Sequence, residues 1–194
     1  MRREVTVGQF LDVAEESAYV TDADDRHAER ALRVASLKSA RYSIQQPLAI
    51  GAAIAGASTA QRAALVAFGH PIGMAFQLRD DVLGVFGDAE STGKPSGDDL
   101  REGKRTVLVA YTREALSPGS RRLFDEMLGD PQLEPDQIAA MQQTIRETGA
   151  LERTEALILE YTRTAERALS GAPLGNRAVG ELRDLARAAT VRIT

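Results

Sequence analysis

Between Ile72 and Phe86 the chain is dominated by large apolar side chains, yet two adjacent acids, Asp80 and Asp81, interrupt the run at its middle. An unpaired charge in an apolar setting is expensive, so the segment cannot be buried on every side without compensation. At about 100° per residue, Gln77, Asp81, Gly84 and Asp88 fall on one face of a helix with Asp80 at its edge. Phe76, Leu83 and Phe86 line another face. No alternation of apolar and polar residues is sustained anywhere in the sequence, which predicts an all-α chain.

Cap and breaker residues divide the chain into helices expected at 5–19, 25–46, 47–57, 61–86, 98–116, 118–128, 135–148, 151–170 and 176–189, with an interruption at Gly103. Pro47 should end one helix and open the next, because proline disfavours helix in the residue before it. Thr21 and Asp24, and likewise Asp98 and Asp99, stand where side-chain oxygens would cap a helix start. Gly51 and Gly56 are expected to let helices approach closely. With 43% hydrophobic but only 5% aromatic residues, the core must be built from alanine, leucine and valine, and 194 residues suffice for one domain, 1–194.

Two neighbouring aspartates on a helix are most often a solvated face. Here apolar flanks surround them, and a glycine-rich loop carrying Lys94 leads on to Lys104. Hard carboxylate oxygens beside ammonium groups suit Mg²⁺ shared with a diphosphate, since Mg²⁺ keeps several waters and takes substrate phosphates as ligands. Gly84 is unusual, because a mid-helix glycine costs about 1 kcal/mol relative to alanine. Upstream, Lys38 and Tyr42 are four apart, so on an α-helix an ammonium and a hydroxyl share one face. Considered alone, Lys38 would be a surface lysine and Tyr42 a core residue.

In order and spacing, these segments resemble the trans-polyprenyl diphosphate synthases, the family of farnesyl and geranylgeranyl diphosphate synthases. Phe76, Gln77, Asp80 and Asp81 match the second aspartate-rich motif, with Gly84 where a third aspartate is expected and Asp88 one turn further on. Lys94, Gly97, Asp99, Leu100, Gly103, Lys104 and Thr106 match the lysine-bearing segments that follow. Lys38, Ser39, Tyr42 and Ser43 match an upstream Lys-Thr-x-x-Tyr-Ser/Thr motif, and Gly8, Gln9 and Asp12 a Gly-Gln-x-x-Asp motif. The resemblance implies Asp80, Asp81 and Asp88 as Mg²⁺ ligands, and Lys38, Ser39, Gln77, Lys94 and Lys104 as substrate contacts. Asp80, Asp81 and Lys38 would be its catalytic residues.

The implied reaction is head-to-tail condensation of an allylic diphosphate with isopentenyl diphosphate in isoprenoid biosynthesis. The first Asp-Asp-x-x-Asp motif of such synthases has no counterpart in the sequence. Asp22, Asp24 and Asp25 have the wrong spacing for it. The expectation is therefore a helical bundle like the second half of the isoprenoid synthase fold, a partial domain. The alternative is a non-catalytic helical subunit or diphosphate-binding protein that needs a partner chain. Homo-oligomer, in particular homodimer, or complementary synthase half are the expected assemblies.

Other classes are disfavoured. The net charge of −4 argues against a general nucleic-acid surface, and the lack of cysteine removes disulfides and thiol nucleophiles. The segment from Gly87 to Lys94 fails as a P-loop, because five residues separate its glycines, proline replaces the hydroxyl after the lysine, and a helix precedes it. His27 and His70 lack His or Cys partners at ligand spacing. The start of the chain lacks the apolar segment of a secretory signal, and the small-residue run from Leu48 to Ala57 is well short of the roughly 20 residues that span a bilayer. A cytoplasmic protein without a membrane span is expected.

Overall fold

The computed structural model describes residues 2–21, 26–87 and 96–190. The helices are α1 (Arg2–Thr21), α2 (His27–Val34), a π-helix (Ala35–Gln45), α3 (Gln46–Ile54), α4 (Thr59–Phe86), α5 (Asp98–Arg101), α6 (Val107–Ala115), α7 (Pro118–Met127), α8 (Pro135–Glu147), α9 (Ala150–Leu169) and α10 (Asn176–Thr190). Among the described residues there is no strand. The all-α expectation holds, and most helix bounds fall within a few residues of those expected. The expected cap at Thr21 and Asp24 lies partly outside the described residues, as do Asp88 and Lys94. Among the described residues no helix is long and apolar enough to cross a membrane.

The chain folds into two compact units. One comprises Met1–Leu11, Arg33–Arg79 and Leu157–Ile193, the other Asp12–Leu32 and Asp80–Ala156 with Thr194. The first unit contains the π-helix. Its wider turn is explicit at the end, where the Gln46 N–H donates to the Arg41 carbonyl five residues back. Two glycines press on its backbone. A Cβ at Gly8 would lie 2.6 Å from Lys38 N, and one at Gly73 would lie 2.7 Å from both Cα and O of Ala40.

Two sequence expectations change here. Gly51 has nothing within 4 Å of a built Cβ, nor has Gly56, whose φ of 68° instead turns the chain after α3. Close approach is thus the work of Gly8 and Gly73. Pro47 opens α3 at the boundary expected, but the backbone stays helical across it. Gln45 remains α-helical at φ −61° and ψ −48°, and Pro47 stands in the first turn of α3, immediately after the π-to-α change. A first-turn position has no use for an intrahelical N–H, so proline marks the change of helix type without ending the helix.

In the second unit, Leu100, Leu108, Met141 and Ile145 have no measurable exposure and Phe124 only 2%. Full burial of each such side chain is worth roughly 1.5–3 kcal/mol. The interruption expected at Gly103 is present: φ is 69°, and a side chain there would meet Cα of Gly129 at 2.8 Å. Thr106 then caps α6 by accepting the Val109 N–H at 3.3 Å. The last turn of α4 is held by Gln142 of α8, which donates to the Val85 carbonyl at 2.6 Å. Buried Arg113 grips Asp125 with two parallel hydrogen bonds of 2.7 and 2.9 Å. Glu15 and His27 are both buried, with Arg30 bonded to the Glu15 carboxylate.

Candidate diphosphate site

α4 presents the acids. Asp80 is exposed, whereas Asp81 is only 8% exposed and is followed by buried Val82 and Leu83. One of the adjacent carboxylates therefore stands in water while the other is held against the packed side of the helix. Three residues beyond Asp81, on the next turn of that face, stands Gly84.

The space beside Gly84 is occupied. A Cβ built there would collide with the carboxyl group of Asp99, whose Oδ1 would be 2.8 Å away. Asp99 is 5% exposed and forms a hydrogen-bonded ion pair with Lys104 Nζ. Glu102 Oε2 is a second partner of the same ammonium, at 3.2 Å. Burial pushes the Asp99 carboxyl above its ordinary pKa; the Lys104 hydrogen bond and charge oppose this, and the charges of Glu102 and Asp80 add to it. For Lys104, burial pulls the ammonium down, but hydrogen bonding and charge from Asp99 and Glu102 outweigh it and raise its pKa. The lysine is a locked cation.

Asp98 and Asp99 therefore do not act as expected from the sequence. Gly97, at φ 76°, is the N-cap of α5 and makes no side-chain cap, while Asp99 turns its carboxylate to Lys104. Capping requires the acid one residue before the first helical position, and both aspartates lie inside the helix. Asp99 and Glu102 were not among the site residues predicted. The glycine at 84 was the available signal, since its helix-breaking cost poses the question of what fills the space.

In the other unit, Lys38, Ser39 and Tyr42 all lie on the π-helix, and Gln77 lies on α4. Tyr42 is 44% exposed, so it is not a core residue. The wider π turn keeps Tyr42 on the Lys38 side and brings Ser43, five further on, toward that same side. The same unit carries an apolar groove of about 440 Å³ lined by Phe68, Ile72, Phe76, Leu182 and Leu185 among others. In the same unit Ser36 Oγ lies 2.8 Å from His70 Nε2. Burial first, and then the Arg41 charge, lower the His70 pKa below its ordinary value.

Among the described residues no three His, Cys, Asp or Glu side chains form a cluster able to hold a metal ion. The donor set is nonetheless of the kind Mg²⁺ uses when one or two carboxylates share it with phosphate oxygens. Asp80 and Asp81 are adjacent carboxylates, one exposed and one buried, and Lys104 is an ammonium held by Asp99 and Glu102.

The polyprenyl synthetase family model matches residues 1–145. A geranylfarnesyl diphosphate synthase from Aeropyrum pernix is 34% identical over 182 residues, covering 94% of this chain and 54% of that protein. Heptaprenyl diphosphate synthase component 2 from Geobacillus stearothermophilus is 40% identical over 137 residues, 71% of this chain and 41% of that one. Among solved structures, geranylgeranyl pyrophosphate synthase from Corynebacterium glutamicum, complexed with isoprenyl diphosphate and magnesium, aligns with a TM-score of 0.91 and 42% identity. That match covers 100% of this chain and 53% of the other. The chain spans about half the length of the curated relatives that it matches first. It belongs to the polyprenyl synthetase family.

Proposed function

We propose that this chain forms the diphosphate-holding part of a Mg²⁺-dependent prenyltransferase, which condenses an allylic diphosphate with isopentenyl diphosphate. The observation that carries the reading is the acid pair on α4 with a locked ammonium, Lys104, bound to the carboxylate that lies against the next turn. Asp80, exposed, is able to turn toward a metal-bound diphosphate. Asp81, held by its burial, is the second proposed Mg²⁺ ligand. Lys38, Ser39, Gln77 and Lys94 are further proposed contacts, and Asp88 a further proposed acid.

Departure of the allylic diphosphate places negative charge on the leaving oxygens, and Mg²⁺ when bound neutralises that charge. Lysine ammonium groups add to the same stabilisation, and their fixed position avoids reorganisation at the moment of bond breaking. The allylic carbon left electron-poor is attacked by the double bond of isopentenyl diphosphate, and loss of a proton completes the longer chain. Water must be kept away while this happens, so the apolar walls have to be closed on all sides.

Closure is proposed to come from a further chain or segment. Val7 and Phe10 of α1, Ile50 and Ile54 of α3, and Leu185 of α10 all expose large apolar surface. The similarity to a protein named component 2 supports a partner subunit, and a second copy is the other form this closure would take.

The test is calorimetric titration of the chain with inorganic pyrophosphate, with and without Mg²⁺. Binding should require the metal and be lost in Asp81→Ala, with helicity by circular dichroism unchanged. Equal affinity in the variant would reject the assignment. Addition of allylic and isopentenyl diphosphates then asks whether the bound state turns over.

A further inference from the structure

We infer that Gly84 is a recess for the Asp99 carboxylate, and that Asp99, seated there, is the positioning residue for Lys104. The inference rests on the proposed diphosphate reading and adds to it the origin of the cation's placement. A mid-helix glycine weakens α4 relative to alanine. Two observations show what occupies the vacated space. Any Cβ at 84 would run into the Asp99 carboxyl group, and that group is bonded to Lys104.

Geometry defines where the ammonium goes. Gly84 lies one turn along α4 from Asp81, on the same face, so a carboxylate in its recess sits one turn from the acids. Lys104, bonded to that carboxylate and to Glu102, is thereby kept on the acid side of the helix. Chain connectivity reinforces the arrangement, since the Lys104 N–H donates to the Asp99 carbonyl at 3.0 Å. Asp99 thus holds both the backbone and the side chain of the lysine. The carboxylate arrives from α5, and the helix makes room by having no side chain at all.

A coupling experiment tests this. Five proteins are compared: the unaltered chain, Gly84→Ala, Asp99→Ala, the double variant, and Asp99→Asn, which keeps the shape without the charge. Titration with inorganic pyrophosphate in Mg²⁺ should show each single variant weakened about tenfold or more, the range seen when residues supporting a metal-site group are removed. Gly84→Ala alone puts a methyl group into the space of the Asp99 carboxyl group, whereas in the double variant no carboxyl group remains to be displaced. It should bind within about threefold of Asp99→Ala alone, a non-additivity expected only for directly coupled residues.

The Asp99→Asn variant separates positioning from packing: it should melt close to the unaltered chain yet bind pyrophosphate as weakly as Asp99→Ala does. Losses that add in the double variant, or full affinity in Asp99→Asn, would overturn the inference while leaving the proposed function intact. If the unaltered chain takes up no Mg²⁺-pyrophosphate, the proposed function itself falls.

Discussion

Gly73 and Gly51 both sit inside helices of the first unit, yet replacement by alanine should move stability in opposite directions. In α4, a methyl at Gly73 would stand 2.7 Å from Cα and O of Ala40, where ordinary contacts begin at 3.4 Å. The obstacle is backbone of the π-helix, so at least about 0.7 Å must be gained by moving one helix from the other. Overpacking of this kind costs about 1–3 kcal/mol, and alanine's better helix propensity returns about 1 kcal/mol. Gly73→Ala should therefore destabilise by up to about 2 kcal/mol. In α3, Gly51 meets nothing within 4 Å of a built Cβ, and Gly51→Ala should realise the helix gain of up to about 1 kcal/mol.

At roughly 2–4 °C per kcal/mol for a chain of this length, the two variants should melt several degrees apart. Thermal unfolding followed by far-ultraviolet circular dichroism measures the gap, and urea unfolding with unchanged slopes would show that both change stability without changing the surface exposed on unfolding. Because Gly73 bears on the backbone carrying Lys38 and Ser39, its alanine variant should also bind pyrophosphate more weakly. Gly51→Ala should not. A Gly73 variant that melts at or above its Gly51 counterpart would refute the idea that the π-helix is clamped through bare backbone.

Lowering of the His70 pKa makes its neutral form the folded form, so its contribution to stability is complete above about pH 6.5 and lost as pH falls toward the depressed value. Chemical unfolding at a series of pH values should show a decline below about pH 6.5 that is smaller in His70→Gln. Asp125→Ala removes both hydrogen bonds between Asp125 and the buried Arg113 guanidinium and should cost about 3 kcal/mol in urea unfolding, against at most about 0.5 kcal/mol for Glu181→Ala at the exposed Arg177–Glu181 pair. Thr106→Ala removes the cap of α6 and should cost about 1 kcal/mol, with Thr106→Ser close to neutral.

Local chemistry made most of the helices legible. Ser117 followed by Pro118, Pro135, and the glycine at 103 are start and stop signals that depend on a few neighbouring residues, and the structure uses each of them. The π-helix was not legible in that way. Residues 35–45 carry no proline or glycine, and their wider turn is accompanied by contacts from Gly8 and Gly73, distant in sequence. Glycine also misled where it was read by composition alone. Gly51 and Gly56 stand in a run of small residues that looks made for close packing, but close packing requires an opposing helix, which the run itself does not specify.

The candidate site divides along the same line. Adjacent acids on an apolar helix announce themselves, because burying such a face without compensation is costly. Which side chains gather beside them is set elsewhere in the chain, and Asp99 shows the difficulty. Its position after Gly97 made it look like a helix cap, an interaction with residues two or three away, whereas the structure commits it to Lys104 and to the space left by Gly84. Two sequence oddities, a glycine within a helix and an acid misplaced for capping, thus have one cause: a single carboxylate seated between α4 and a lysine. Neither residue is intelligible alone. Substitution at either position should consequently be judged by what it does to the other, and a survey of this chain's variants that scored them independently would find both more costly than their local environments explain.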